Sequence, residues 1–279
     1  MPAIDPERAP TAVRAHLAAA AQRIDSELDR RLAIPGALGP NDAERRLREA
    51  MRYAVLGGGK RLRPALLLAA AQACRGSIER ALPAAAAVEL LHAYTLVHDD
   101  LPAMDDDAVR RGRATVHIAY GEGTAILAGD GLLTAAFAAL ADLGDDAAAA
   151  VTALATAAGP GALLGGQARD LALDGAEPAL SEVELIHSGK TGALFSAAAE
   201  LGAITAKAPR SAQRALRAYG MAVGIAFQHA DDSDDGELPG LAEMAQTRRN
   251  ELALEAINAT TELAEPGLLA ELARWIGGI

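Results

Sequence analysis

The sequence predicts an all-α fold, a helical bundle around a central apolar cavity. Three observations predict it. Alanine dominates a chain that is 51% hydrophobic but only 3% aromatic, and alanine is the best helix former and lets helices pack closely. Apolar residues recur at helical spacing over most of the 279 residues, whereas no window sustains the alternation of a strand. Two long apolar runs also end in clusters of aspartate, which places charge at the mouth of the bundle.

The elements follow in order. Residues 12–33 repeat apolar positions at Val13, Leu17, Ala20, Ile24, Leu28 and Leu32, which predicts a helix that Pro35 and Gly36 break. Asn41 to Glu44 is a capping start for a helix reaching about Leu56. Gly57 to Pro64 reads as a turn, with Pro64 in the first turn of a helix over 64–74. A helix over 79–101 runs into the first aspartates, and Pro102 stops it. Helices are then expected at about 115–127, 130–143, 147–158, 161–173, 181–188, 190–206, 210–233, 240–264 and 266–277. With no internal repeat and no linker, residues 1–279 are expected to form one domain.

Charge and composition bound the function. A formal charge of −11 and only scattered positive residues argue against nucleic acid as a partner. One cysteine, Cys74, leaves no internal disulfide and suits a reducing cytoplasm. Met1 to Arg8 leads into no apolar core, so no signal peptide is expected. The alanine-rich stretch 132–164 is interrupted by Asp142, Asp145 and Asp146, and no membrane span is expected there. Lysine is nearly absent: three lysines, Lys60, Lys190 and Lys207, stand against 23 arginines. Lys60 and Lys190 lie in glycine-flanked segments, where a compact ammonium suits a specific task.

The chemistry concentrates in residues 92–113. Asp99, Asp100, Asp105, Asp106 and Asp107 follow an apolar helix, and so many carboxylates need a countercharge. A hard divalent cation with oxygen ligands, Mg²⁺ first among them, supplies it and keeps positions open for phosphate. Arg110, Arg111 and Arg113 suit phosphate oxygens through forked hydrogen bonds. A second cluster, Asp231, Asp232, Asp234 and Asp235, again ends an apolar helix. On a helix Asp231 and Asp235 face the same way with Asp232 beside them. Two such clusters could grip one diphosphate and neutralise it as a leaving group.

Five segments in order resemble the trans-polyprenyl diphosphate synthases, in particular bacterial farnesyl and geranylgeranyl diphosphate synthases. They are Gly58 to Pro64, His92 to Arg113, Gly129-Asp130 with Leu132-Leu133, Lys190-Thr191-Gly192, and Phe227-Gln228 before Asp231-Asp232. Each alone is weak, and together they cover roughly positions 40–235. The resemblance implies an isoprenoid-synthase bundle, condensation of isopentenyl diphosphate with an allylic diphosphate, and a homodimer. It implies Mg²⁺ on Asp99, Asp100, Asp105, Asp231, Asp232 and Asp235. By the same resemblance Lys60, Arg63, His92 and Arg111 bind isopentenyl diphosphate, while Arg110, Lys190, Thr191 and Gln228 serve the allylic diphosphate and its ionisation. On its own, His92 reads equally as a core histidine and Gln228 as a satisfied core amide.

Tyr94 lies five residues before Asp99, about 7.5 Å down the helix axis. An aromatic there goes with a C15 product in the family and would form the floor of the pocket; Thr95 is too small to block it. Geranyl or geranylgeranyl diphosphate synthase remains an alternative. After Asp235 the resemblance fails: Ser233-Asp234 replaces an apolar pair, no lysine follows Lys207, and the glycine-rich lid segment is shortened. Arg248 and Arg249 are candidate substitutes for the missing lysines. A terpene cyclase or a weakly active partner subunit is therefore kept open.

Overall fold

A computed structural model describes residues 4–39, 41–172, 179–235 and 242–279, with the side chains of residues 234 and 235 outside that set. Thirteen helices are described: α1 (Thr11–Arg31), α2 (Ala43–Leu56), α3 (Leu62–Ala73), α4 (Ile78–Asp99), α5 (Val116–Tyr120), α6 (Glu122–Ala141), α7 (Ala147–Ala158), α8 (Leu163–Ala172), α9 (Leu180–His187), α10 (Ala193–Thr205), α11 (Arg210–Asp235), α12 (Ala242–Ala259) and α13 (Gly267–Gly277). A wide turn of π-helix, Ser188–Gly192, joins α9 to α10. The expected all-α class is what the chain adopts.

Local chemistry sets the helix starts. The Asp42 side chain accepts from the Glu44 and Arg45 amides at the start of α2, and Ser77 accepts from Arg80 N–H at the start of α4, each satisfying donors a helix leaves open. α1 buries the predicted stripe of Val13, Leu17, Ala20, Ile24 and Leu28. α10 is buried along its whole length, packed among α3, α4, α7 and α11. Small residues make that approach possible: a Cβ at Gly202 would lie 2.5 Å from the Leu67 carbonyl on α3, and one at Gly220 2.4 Å from the Phe195 carbonyl. One apolar core runs from Ile4 to Ile276, and the Tyr219 hydroxyl within it donates to the Leu269 carbonyl at 2.8 Å.

Three boundaries depart from expectation. The break expected between 127 and 130 falls at Gly121, whose φ is 88°, and α6 runs straight through Gly129. That glycine makes room for a ring: a Cβ on it would meet His98 Nε2 at 2.1 Å. The last long helix ends at Ala259 instead of 264. The loop after the first aspartates holds a short antiparallel pair, β1 (Val109–Arg110) with β2 (Arg113–Ala114). Its two turn residues, Arg111 and Gly112, have φ of 53° and 73°, the pattern of a two-residue hairpin turn matched to strand twist.

The segments Glu122–Ala141 and Gly144–Ala172 are long and apolar enough, by composition, to cross a membrane. In the fold α6 lies along α4, and α7 lies along α10.

Candidate active site

The C-terminal end of α4 organises the site. Positions 92, 95 or 96, and 99 fall on one face of a helix. There His92, Thr95, Leu96 and Asp99 line a cavity of about 460 Å³. The opposite wall comes from α11, through Phe227, Gln228 and Asp231. Lys60 and Arg63 enter from the turn before α3, Arg110 and Arg111 from the hairpin, and Lys190 and Thr191 from the π-turn. Eleven residues singled out from sequence thus face one space: Lys60, Arg63, His92, Thr95, Asp99, Arg110, Arg111, Lys190, Thr191, Gln228 and Asp231.

Two backbone contacts aim these groups. Gly166 of α8 touches the π-turn so closely that a Cβ on it would lie 2.3 Å from Lys190 N. Lys190 Nζ therefore reaches Asp170 of α8 at 2.5 Å. On the other side Arg111 Nη1 donates to the Gly58 carbonyl at 2.5 Å, and a Cβ at Gly59 would lie 2.6 Å from that nitrogen. Gly59 and Gly57 clear space for the guanidinium groups of Arg111 and Arg113.

Adjacent aspartates divide into two kinds. Asp99 faces the cavity, whereas Asp100 is buried and takes Arg110 Nε at 2.6 Å. Arg110 also donates to Asp107 at 3.2 Å. Asp105 and Asp106 stand exposed on the loop. In the second cluster Asp231 lines the cavity, while Asp232 is buried and accepts from Gln228 Nε2 at 2.8 Å, with His187 Nε2 at 3.0 Å. The Asp235 side chain lies outside the described residues. The split is geometric: neighbours on a helix point about 100° apart, so one of a pair faces the cavity and the other the packing.

The electrostatics mark an anion site. Burial, reinforced by Asp105 and Asp100, pushes Asp99 up to about 6 against the pull of Lys190 and Arg110. Burial, with Arg111 beside it, brings Arg63 down to about 10 despite Glu89 and Asp231. His92 lies well below its ordinary value, because it is buried and arginines surround it. It is therefore neutral, and its Nε2 accepts from Arg63 Nη1 at 3.2 Å. Lys190 is half-buried, yet Asp170, Asp99 and Asp105 outweigh the desolvation and raise it.

The donor set suits Mg²⁺ held jointly with a ligand. Among the described residues no three carboxylate or imidazole groups converge as a closed cage. Mg²⁺ needs none, since it binds through one or two carboxylates and fills its shell with water and phosphate. Asp99, a half-buried carboxylate whose charge is costly, is the kind of ligand a divalent cation stabilises.

Some expected residues lie elsewhere. Tyr94 lines a neighbouring cavity of about 300 Å³ with Met104, Leu164 and Gln167, which shares Thr95, Asp99, Leu163 and Lys190 with the main one. Arg248 does not reach the site: it pairs with Glu184, Glu251 and Glu255. Arg249 is buried and donates to the Ile276 carbonyl at 2.7 Å. Neither replaces the missing lysines in the described residues, and the segment 236–241 lies outside them. Sequence reasoning missed Asp170 and Gln167, a pair three apart just after Gly165-Gly166, and it missed Glu89, which sits one turn before His92 beneath the arginines.

Comparison with known proteins agrees with this geometry. Residues 44–237 match the family model described as polyprenyl synthetase. The chain is 42% identical to the farnesyl diphosphate synthase of Geobacillus stearothermophilus over 198 residues, 69% of this chain and 67% of the relative. It is 47% identical to the farnesyl diphosphate synthase of Escherichia coli (strain K12) over 191 residues, 66% of this chain and 64% of the relative. A solved FPP/GFPP synthase from Zymomonas mobilis superposes with a TM-score of 0.86 at 38% identity, covering 95% of this chain and 98% of that one. A geranylgeranyl pyrophosphate synthetase from Pyrococcus horikoshii follows at TM-score 0.82 and 29% identity, covering 95% and 98%. With four of its five motifs gathered around one cavity and most of its length matched, the chain belongs to the polyprenyl synthetase family.

Proposed function

We propose that this protein is a Mg²⁺-dependent prenyltransferase that joins isopentenyl diphosphate to dimethylallyl or geranyl diphosphate and releases farnesyl diphosphate. The observation that carries the reading is a single cavity with two sets of cationic groups. Lys60, Arg63 and Arg111, with neutral His92, form one set; Lys190 and Arg110, beside Asp99 and Asp231, form the other. A cyclase handles one diphosphate and has no use for both.

In this reading Asp99 and Asp105, with Asp231 on the opposite wall, would hold the metal. Bound there, Mg²⁺ supplies neutralisation of the departing diphosphate. Asp100 and Asp232 act beneath them, one holding Arg110 and the other Gln228. Lys190 stabilises charge on the leaving oxygen. Thr191 donates its hydroxyl proton to the Gln228 amide oxygen at 2.8 Å, so the threonine lone pairs are left to face the allylic cation. Leu96, Leu163, Leu194 and Phe227 line the cavity and exclude the water that would quench it. Isopentenyl diphosphate, fixed by Lys60, Arg63 and Arg111, presents its double bond to that cation. The released diphosphate takes the final proton, since no side chain in the cavity is an evident base.

The Tyr94 side cavity is the proposed end of the growing chain, which gives C15. The remaining assignments are a single domain, a cytoplasmic enzyme and a homodimer. The last is supported by α6 and α7, which expose Ile126, Leu127 and Val151 on highly apolar helices. The test is incubation of pure protein with Mg²⁺, geranyl diphosphate and isopentenyl diphosphate. Farnesyl diphosphate is expected, and absence of any C15 or longer product contradicts the proposal.

A further inference from the structure

Lys60, Arg61 and Arg63 all line the cavity, but Arg61 is bound differently from its neighbours. Its side chain is 3% exposed. Nε donates to Asp25 at 2.9 Å, Nη1 to Glu89 at 2.5 Å and Nη2 to the Val55 carbonyl at 2.7 Å. Those bonds hold a non-glycine residue at φ 47°, a left-handed conformation that an arginine enters only under constraint. From that bend the chain turns into α3, whose Ala65 amide donates to the Arg61 carbonyl at 3.0 Å.

Glu89 is the key partner. It is a buried carboxylate, 4% exposed, and it acts electrostatically on Arg61, Arg63 and Arg111 together. A buried carboxylate will pair with whichever cation reaches it. Arg61 occupies it. Lys60, Arg63 and Arg111 form no ion pair among the described residues.

We propose that Arg61 is a positioning residue for the isopentenyl diphosphate subsite, which saturates Glu89 and thereby leaves Arg63 and Arg111 free to receive a diphosphate. The idea rests on the prenyltransferase reading for the identity of that diphosphate. Arg61 touches no substrate; it acts through Glu89 and through the bend that sets Lys60 and Arg63 on the cavity wall.

The test is a double-mutant cycle with KM measured separately for the two substrates. Arg61→Gln is expected to raise KM for isopentenyl diphosphate about tenfold or more, as truncation of a buried charge pair does, and to leave KM for geranyl diphosphate within about twofold. Adding Glu89→Gln to that variant is expected to recover most of the loss, because the unpaired carboxylate that captures Arg63 is gone. KM rising alike for both substrates, or a double variant no better than Arg61→Gln, overturns the proposal. Should Arg61→Gln fail to fold by circular dichroism, Asp25→Asn loosens the same anchor from its exposed side. A selective rise of about two- to fivefold is then expected, and an unchanged KM overturns the proposal. If the wild type makes no product, the prenyltransferase reading fails first. Calorimetric titration with isopentenyl diphosphate alone then decides the role of Arg61, through weakened binding in Arg61→Gln and its recovery in the double variant.

Discussion

Thr191 Oγ1 donates to Gln228 Oε1 at 2.8 Å, and the same amide donates through Nε2 to Asp232 at 2.8 Å. The two bonds fix the direction of the amide and link the π-turn to α11 across the cavity. Thr191→Ala removes the donor and leaves a half-buried carbonyl unpaired, at a cost of about 1–3 kcal/mol. Turnover is expected to fall about 10- to 100-fold with KM for both diphosphates nearly unchanged, because the group acts on the developing cation. Thr191→Ser, which keeps the hydroxyl, is expected to retain most of the turnover. Steady-state kinetics on the two variants checks this.

Asp99 and Asp100 are predicted to differ despite being adjacent. Asp99→Asn is expected to lower kcat by about 10²- to 10³-fold, the scale of losing a preorganised electrostatic group, and to raise the Mg²⁺ concentration needed for half-maximal rate. Asp100→Asn loosens Arg110 and is expected to raise KM for the allylic diphosphate while the Mg²⁺ midpoint stays put. Mg²⁺ titration of both variants at saturating substrate separates them.

Asp99 also carries a stability prediction. Its folded value is raised from 3.8 to about 6, so the folded protein holds its proton more tightly than the unfolded chain does. The contribution therefore favours folding below 3.8 and is lost as pH rises through about 6. At neutral pH the ionised carboxylate destabilises the metal-free protein, by at most about 3 kcal/mol on the scale of a two-unit shift. Asp99→Asn is expected to melt a few degrees higher than the wild type at pH 7.5 without metal, with the difference vanishing near pH 4. Thermal melts at the two pH values read it, and a lower melting point for Asp99→Asn at pH 7.5 contradicts it.

Tyr94 sits on the side cavity, its ring edge-on to His98 at 5.1 Å. Tyr94→Ala opens that cavity toward α6 and is expected to shift the main product from C15 to C20 or longer. Mass spectrometry of the products checks the shift, and an unchanged C15 product removes Tyr94 from the floor.

Much of this was legible in the sequence, for physical reasons. Helices declared themselves through apolar spacing and caps such as Asp42 and Ser77, which depend only on near neighbours. The motifs located the cavity because charge at the end of an apolar helix is costly without a ligand. What stayed hidden depends on packing between distant segments. Gly129 reads as a breaker until the His98 ring is seen resting on it. Nothing in the string marks Arg61 as left-handed, since the constraint comes from Asp25 and Glu89, 36 and 28 residues away. Which aspartate of each pair faces the cavity depends on the rotation of its helix against its neighbours. Asp170 needed the contact between Gly166 and Lys190 before its role could be read.

The most direct test is product analysis after incubation of the purified chain with Mg²⁺, geranyl diphosphate and radiolabelled isopentenyl diphosphate. Label incorporated into a C15 diphosphate, and lost when Mg²⁺ is chelated, is the predicted result. Consumption of geranyl diphosphate without incorporation of label, or no consumption at all, contradicts a site built for two diphosphates.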